Sequence, residues 1–225
     1  MTSPTLPIQT SAAEPDQLIG QRDDAVWDQM ADALASQSWG VLDDAVPLPV
    51  LAALRQRLHG LSDEAFHVAG VGRHADHQQV EAFRNDRIHW LEDSDPAEAA
   101  WLGWADQLRE AMNARLFLGL NRFECHFAHY APGHFYKKHV DAFKGQANRR
   151  LSSVLYLNES WDERDGGELV IYEPEHPEQV AQRLTPKPGR LVLFLSEGVA
   201  HEVLPAQRDR YSIAGWFRVR DGFAP

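Results

Sequence analysis

The chain has a single cysteine, Cys125, which excludes an internal disulfide and any zinc site built on several thiolates. It has no excess of positive charge. Lys and Arg number 22 against 33 Asp and Glu, for a formal net charge of −11. With no Lys/Arg run, neither nucleic acid nor an anionic membrane is expected as a partner. A local basic patch remains available from Arg84, Arg87, Lys137, Lys138, Arg149 and Arg150. No apolar run approaches membrane-spanning length. Residues 1–16 lack the charged and apolar regions of a signal peptide. These absences lead to the expectation of a cytoplasmic protein in a reducing compartment.

What is present fits one domain with a full core. Residues 1–22, rich in Ser, Thr, Pro and Ala, are expected to be a disordered tail, and 23–225 a single domain. Its first part, 23–118, has helical spacing: Val26, Met30 and Leu34 recur on one face, and so do Leu51, Leu54 and Leu58. Pro47 suits a first helical turn. Trp101, Trp104, Leu108 and Met112 mark a helix opened by Pro96. Between these helices, 39–42, 66–71 and 86–91 read as strands, and 70–82 as a polar mobile loop.

From residue 119 to 221 the period changes to two. Phe123, Cys125 and Phe127 alternate with Glu124 and His126, and strands are expected at 151–158, 168–172, 190–196, 201–204 and 210–219. Glycine and proline turns separate them. The fold class is therefore α+β, with helices first and a sandwich or barrel after.

The motif with most chemistry is His139-Val-Asp141. Residues two apart on an extended backbone face the same side, so an imidazole and a carboxylate share one point in space. His201 offers a third ligand. Two histidines and a carboxylate with open positions suit non-haem Fe(II). The alternative is ordinary surface or core histidines, and with 11 histidines a chance match is expected. His74-Ala-Asp76 is one, in a polar loop with no strand pattern. His126 and His129, on opposite faces of a strand, read as structural, and Cys125 as core.

Nine residues after His201 comes Arg210-Tyr-Ser212. A guanidinium fork with a hydroxyl on the same side suits a carboxylate, such as the distal one of 2-oxoglutarate. The plain alternative is a surface arginine paired with Glu202 or Asp209.

These motifs occur together with others. Arg84-Asn-Asp86-Arg-Ile-His-Trp90 and Tyr130-Ala-Pro-Gly come first. Tyr136-Lys-Lys-His139-Val-Asp141, Leu155-Tyr156-Leu-Asn158, Gly166-Gly-Glu-Leu and Arg210-Tyr-Ser212-Ile-Ala-Gly-Trp216 follow. Over residues 39–217 the chain resembles the 2-oxoglutarate/Fe(II)-dependent dioxygenases, and among them the prolyl 4-hydroxylases of the oxygen-sensing type and their bacterial relatives. The pattern departs at Ala214, where the oxygen-sensing animal enzymes often carry a hydroxyl residue.

The resemblance implies a double-stranded β-helix, or jelly roll, with the N-terminal helices packed on one sheet. It implies Fe(II) on His139, Asp141 and His201, with O₂ as cosubstrate and ascorbate as a possible reductant. 2-Oxoglutarate would be held by Arg210, Tyr156 and Ser212. Tyr130, Tyr136 and Trp216 would shape the pocket. Asp86 and Arg150 would pair at the substrate entrance. The implied reaction is hydroxylation of a peptidyl residue, proline in a protein or peptide substrate, with release of succinate and CO₂. The same chemistry on a free amino acid or other small substrate, or a non-enzymatic metal- or ligand-binding jelly roll, are the alternatives.

Overall fold

The computed structural model describes residues 24–70, 82–142 and 148–220. The expected tail at 1–22, most of the expected loop at 70–82, and His74 and Asp76 lie outside the described residues.

Among the described residues three helices come first, with short strands between them: α1 (Asp24–Gln37), β1 (Trp39–Leu42), α2 (Leu48–His59), β2 (His67–Val68), β3 (Arg87–Trp90) and α3 (Pro96–Leu116). Each helix is set by its apolar stripe and its start signal. α1 buries Trp27, Met30, Ala31 and Leu34, whereas Val26 is only half-buried. In α2, Pro47 stands at the cap, one position before the first turn expected for it, and Pro49 lies in that turn. Asp95 caps α3, its Oδ1 accepting from the Ala97 and Glu98 amides at 2.9 and 3.3 Å. The helix ends at Phe117, which adopts φ 53°.

The β-rich part follows: β4 (Arg122–Tyr130), β5 (Tyr136–His139), β6 (Arg149–Tyr156), β7 (Leu169–Tyr172), β8 (Val180–Leu184), β9 (Leu191–Leu195), β10 (His201–Val203) and β11 (Arg210–Arg218). The expected strand at 66–71 shrinks to β2, and β8 was not foreseen. β8 is largely exposed and has no apolar alternation to reveal it.

The strands form two antiparallel sheets. The larger runs β1-β9-β6-β11-β4-β3-β2 and the smaller β5-β10-β7-β8. This is the jelly-roll double sheet. The period of two divides the larger sheet cleanly. Phe127, Leu151, Leu155, Ile213 and Phe217 face the helices and join Trp101, Trp104, Leu108 and Met112 in one core. Ala128, Tyr130, Tyr156, Val192 and Phe194 face the other way and join Leu169, Ile171 and Val203 of the smaller sheet. Polar residues interleave with this second set, and they form the site. No helix among the described residues is long and apolar enough to cross a membrane.

Candidate active site

His139 ends β5 and His201 opens β10, and the two are direct cross-strand partners. Asp141 lies two residues beyond His139. The ligand atoms of His139, Asp141 and His201 all fall within 4.8 Å of one another. His139 Nε2 is 3.6 Å from one Asp141 oxygen and His201 Nε2 3.8 Å from the other. The other nitrogen of each ring is already engaged. His139 Nδ1 lies 2.7 Å from the Lys137 carbonyl and His201 Nδ1 3.1 Å from the Val199 carbonyl. Protons on Nδ1 leave both Nε2 lone pairs aimed inward, the orientation a metal requires.

Protonation suits the same role. Burial alone would raise the Asp141 carboxyl, but His201, His139 and the Ser152 hydroxyl outweigh it and hold the group below the usual carboxylate range. Burial, helped by His139, pushes His201 down to about 4. At neutral pH Asp141 is a carboxylate and His201 a neutral imidazole, and two imidazoles with one carboxylate are a donor set that fits a ferrous ion. Ser152 Oγ donates to Asp141 at 2.6 Å and shares a 2.8 Å hydrogen bond with the buried Ser196 hydroxyl. This two-hydroxyl support was missed in the sequence, where Ser152-Ser153 carries no signal beyond strand spacing.

Across the pocket, Arg210 is 1 % exposed. It pairs with neither Glu202, which accepts from the Tyr172 hydroxyl, nor Asp209, which binds His129. Its Nε donates to the Gly167 carbonyl at 2.9 Å and its Nη1 to Ser212 Oγ at 3.3 Å. Gly167 sits at φ 68°, and a Cβ there would lie 2.9 Å from Ala206 Cβ and 3.1 Å from Arg210 Cδ. Only glycine lets that carbonyl approach the guanidinium. Register sets the rest: Ser212 pairs with Tyr156 on one side and Ala128 on the other, and Arg210 pairs with Tyr130.

Two buried polar atoms here have no hydrogen-bond partner among the described residues, Arg210 Nη2 and Tyr156 Oη. Burial raises the Tyr156 phenol, with Arg210 pulling the other way, so the hydroxyl stays a donor. Two orphaned donors side by side call for an anion. The distal carboxylate of 2-oxoglutarate fits them.

Tyr130, Tyr136, Trp216, the His139–Asp141–His201 set and Arg210 all line one open pocket. His126 also lines it, against the expectation of a purely structural residue. Burial pushes it down to about 4, so it is neutral. His129 faces the opposite side, as expected.

Two expectations are corrected. Asp86 does not pair with Arg150. It is fully buried and grips Arg84 through two hydrogen bonds of 2.7 and 2.6 Å. Arg150 pairs instead with Glu197 at 3.2 Å. A fully buried carboxylate demands the nearest guanidinium, and Arg84 lies two residues away on the same extended segment. The basic patch does not form either. Arg84 is taken by Asp86, Arg149 by Glu124 and Arg150 by Glu197, while Lys138 lies on the Tyr172 ring.

Comparison with known proteins gives the same picture. The family profile described as the 2OG-Fe(II) oxygenase superfamily matches residues 125–218. A solved prolyl-4-hydroxylase from Pseudomonas putida is 39% identical with a TM-score of 0.75, covering 86% of this chain and 99% of its own. A prolyl hydroxylase from Trichoplax adhaerens, solved with a hypoxia inducible factor oxygen degradation domain peptide fragment, is 25% identical. Its TM-score is 0.76, over 87% of this chain and 90% of its own. Egl nine homolog 1 from Homo sapiens is 30% identical over 171 residues, 70% of this chain. The chain spans 40% of the length of that human relative.

Proposed function

We propose that this chain, which belongs to the 2OG-Fe(II) oxygenase superfamily, is a prolyl hydroxylase acting on a protein or peptide substrate. One observation carries the reading. One pocket is lined by a two-histidine, one-carboxylate set and by Arg210, whose Nη2 has no partner among the described residues, and Tyr156, with its equally unpartnered Oη, lies buried with its ring 5.0 Å from that guanidinium. The likeness to prolyl hydroxylases from Pseudomonas putida and Trichoplax adhaerens supports the choice of substrate residue.

His139, Asp141 and His201 hold the metal. Arg210, with Ser212 and Tyr156, takes the distal carboxylate of 2-oxoglutarate. When both are bound, the ferrous ion and 2-oxoglutarate reduce O₂, releasing succinate and CO₂ and placing one oxygen atom into a substrate C–H bond.

The chain's own residues do the positioning. The Arg210 fork and the Tyr156 hydroxyl would hold one end of the cosubstrate and so restrict it to one orientation in the pocket. Ser152 keeps Asp141 turned toward the metal. Tyr130 and Tyr136 remain neutral phenols: burial raises both, Tyr136 to about 12. Their rings narrow the pocket and keep water from the reacting carbon. Trp216 forms the wall nearest the exposed Trp90, where a substrate residue enters. Arg150, nearly half exposed while paired with Glu197, has an open side with which to meet a substrate chain. Asp86 serves only through Arg84. A reducing compartment suits both the ferrous ion and the free Cys125 thiol, and ascorbate would keep the iron reduced.

The test is direct. Purified protein with Fe(II), 2-oxoglutarate and a library of proline-containing peptides is expected to form succinate and add about 16 Da to prolyl residues. Succinate formation with no peptide oxidised, even when free amino acids are substituted productively, would overturn the peptidyl-proline reading.

A further inference from the structure

β5, which carries His139, is an edge strand of the smaller sheet. An edge strand has one hydrogen-bonded neighbour, so its side chains are held less firmly than those of an interior strand. Here the free edge is covered by residues 83–86, the segment that leads into β3. Arg84 and Tyr136 form an antiparallel bridge. The Lys137 amide donates to the Phe83 carbonyl at 2.9 Å and the Asn85 amide to the Phe135 carbonyl at 3.3 Å. The Phe135 amide donates to Asn85 Oδ1 at 2.8 Å.

The contacts continue to the imidazole along two paths. Through the backbone, Phe83 holds Lys137, and the Lys137 carbonyl accepts from His139 Nδ1 at 2.7 Å. Through side chains, three groups are stacked. The Arg84 guanidinium lies 4.3 Å from the centroid of the Tyr136 ring. That ring lies 3.6 Å from the His139 ring at 16°, close to parallel. Asp86 fixes the guanidinium from behind with its two hydrogen bonds. The Phe83 ring meets the edge of Tyr136 at 5.7 Å and 79°.

An ion pair this deeply buried is weak support for stability. A hydrophobic pair would fill the space as well, so its value must lie in direction. The fork holds the Arg84 guanidinium over the Tyr136 ring, and that ring lies flat on His139.

We propose that residues 83–86 position the metal ligand His139 from the edge of the sheet. Asp86 aims Arg84, Arg84 clamps Tyr136, and Tyr136 fixes the plane of the imidazole while the Phe83 carbonyl holds the backbone acceptor of its Nδ1. Arg84, Asp86 and Tyr136 are positioning residues in this role. The same segment continues into β3, which carries Trp90 beside the pocket. The ligand geometry is therefore tied to the strand that borders the substrate entrance. The proposal rests on the metal-centre reading above.

Co(II) titration of the full chain, followed by its d–d absorption, tests it without turnover. Tyr136→Leu removes the stack and is expected to weaken Co(II) binding about 10-fold, the low end for loss of a group that orients a ligand. Tyr136→Phe keeps the stack and is expected to bind as the wild type does. Arg84→Gln alone strands a buried carboxylate, so it is combined with Asp86→Asn. That pair is expected to weaken Co(II) about as much as Tyr136→Leu, and the triple variant no further, because all act along one path. Thermal melting of the metal-free proteins separates folding from ligand positioning. Wild-type Co(II) affinity in folded Tyr136→Leu, an equal loss in Tyr136→Phe, or losses that multiply in the triple variant would each overturn the proposal. Unchanged Co(II) binding in Asp141→Ala would instead remove the metal centre itself, a separate and distinguishable failure.

Discussion

The larger sheet carries Arg210 and Ser212 on β11 and Tyr156 on β6, both interior strands with a ladder on each side and helices packed behind. The smaller sheet carries His201 on the interior strand β10 but His139 on the edge strand β5, with Asp141 just beyond it. The proposed cosubstrate anchor is thus set by the sheet itself. The proposed metal ligands have added support: backbone carbonyls behind each imidazole, Ser152 behind Asp141, and residues 83–86 against β5. A binding group on an interior strand inherits its position, while one at an edge needs a second layer of contacts to obtain it.

The contrast can be broken most completely at Asp141. Asp141→Ala removes the only carboxylate of the set, and is expected to abolish both metal binding and substrate-dependent succinate formation. Retained turnover would sink the assignment. The larger sheet is expected to fail differently. Trp104→Ala empties a fully buried site behind it and should cost about 3–5 kcal/mol in a denaturant melt. The Co(II) affinity of the folded fraction should stay near that of the wild type, and a large fall in it would mean that the two layers are not separable.

His126, on the larger sheet, gives a pH signature. Its folded value is about 4, below the usual 6.5, so between those pH values the unfolded chain binds a proton that the fold refuses. The His126 contribution to stability should therefore fall as pH drops from 6.5 to 4, by on the order of 3 kcal/mol at most, beside a like fall from His201. His126→Phe should flatten that part of the profile, and an unchanged slope would assign it to other groups. The anchor itself is sharpened by Arg210→Lys, which keeps the charge and loses the fork. The KM for 2-oxoglutarate is expected to rise on the order of 100-fold while Co(II) affinity hardly moves. A parallel fall in metal affinity would contradict the division between the sheets. The smallest expected effect is at Ser152. Ser152→Ala should weaken metal binding about 10-fold and Ser152→Thr restore it; equal binding by all three proteins would remove the hydroxyl from the account.

The helices and the main strands were legible because their apolar residues repeat at 3.6 or 2, the signal that burial writes along a chain. β8 was not, since it lies exposed and buries little. Pro47 was misplaced by one position because Pro49 also suits a first turn, and only the backbone chooses between them. Among the site residues, His139, Asp141 and His201 were readable through ligand type and spacing, and Arg210 and Ser212 through their distance from His201. Ser152 and His126 were not, because a serine or histidine in a strand has no distinguishing neighbour pattern. The Asp86–Arg150 pairing failed for a similar reason. Opposite charges can be matched along a sequence in many ways, and burial selects one.

By itself the sequence determined which residues face inward on each element and which chemical groups stand two apart on one face, because side-chain direction follows local backbone period. Tertiary structure alone decided which groups meet. It placed His201 opposite His139, brought the Gly167 carbonyl to Arg210, gave Asp86 to Arg84, and laid residues 83–86 along the edge of β5. These contacts join residues far apart in the chain or choose among equivalent local partners. Their geometry is set by register and burial, which no local pattern encodes.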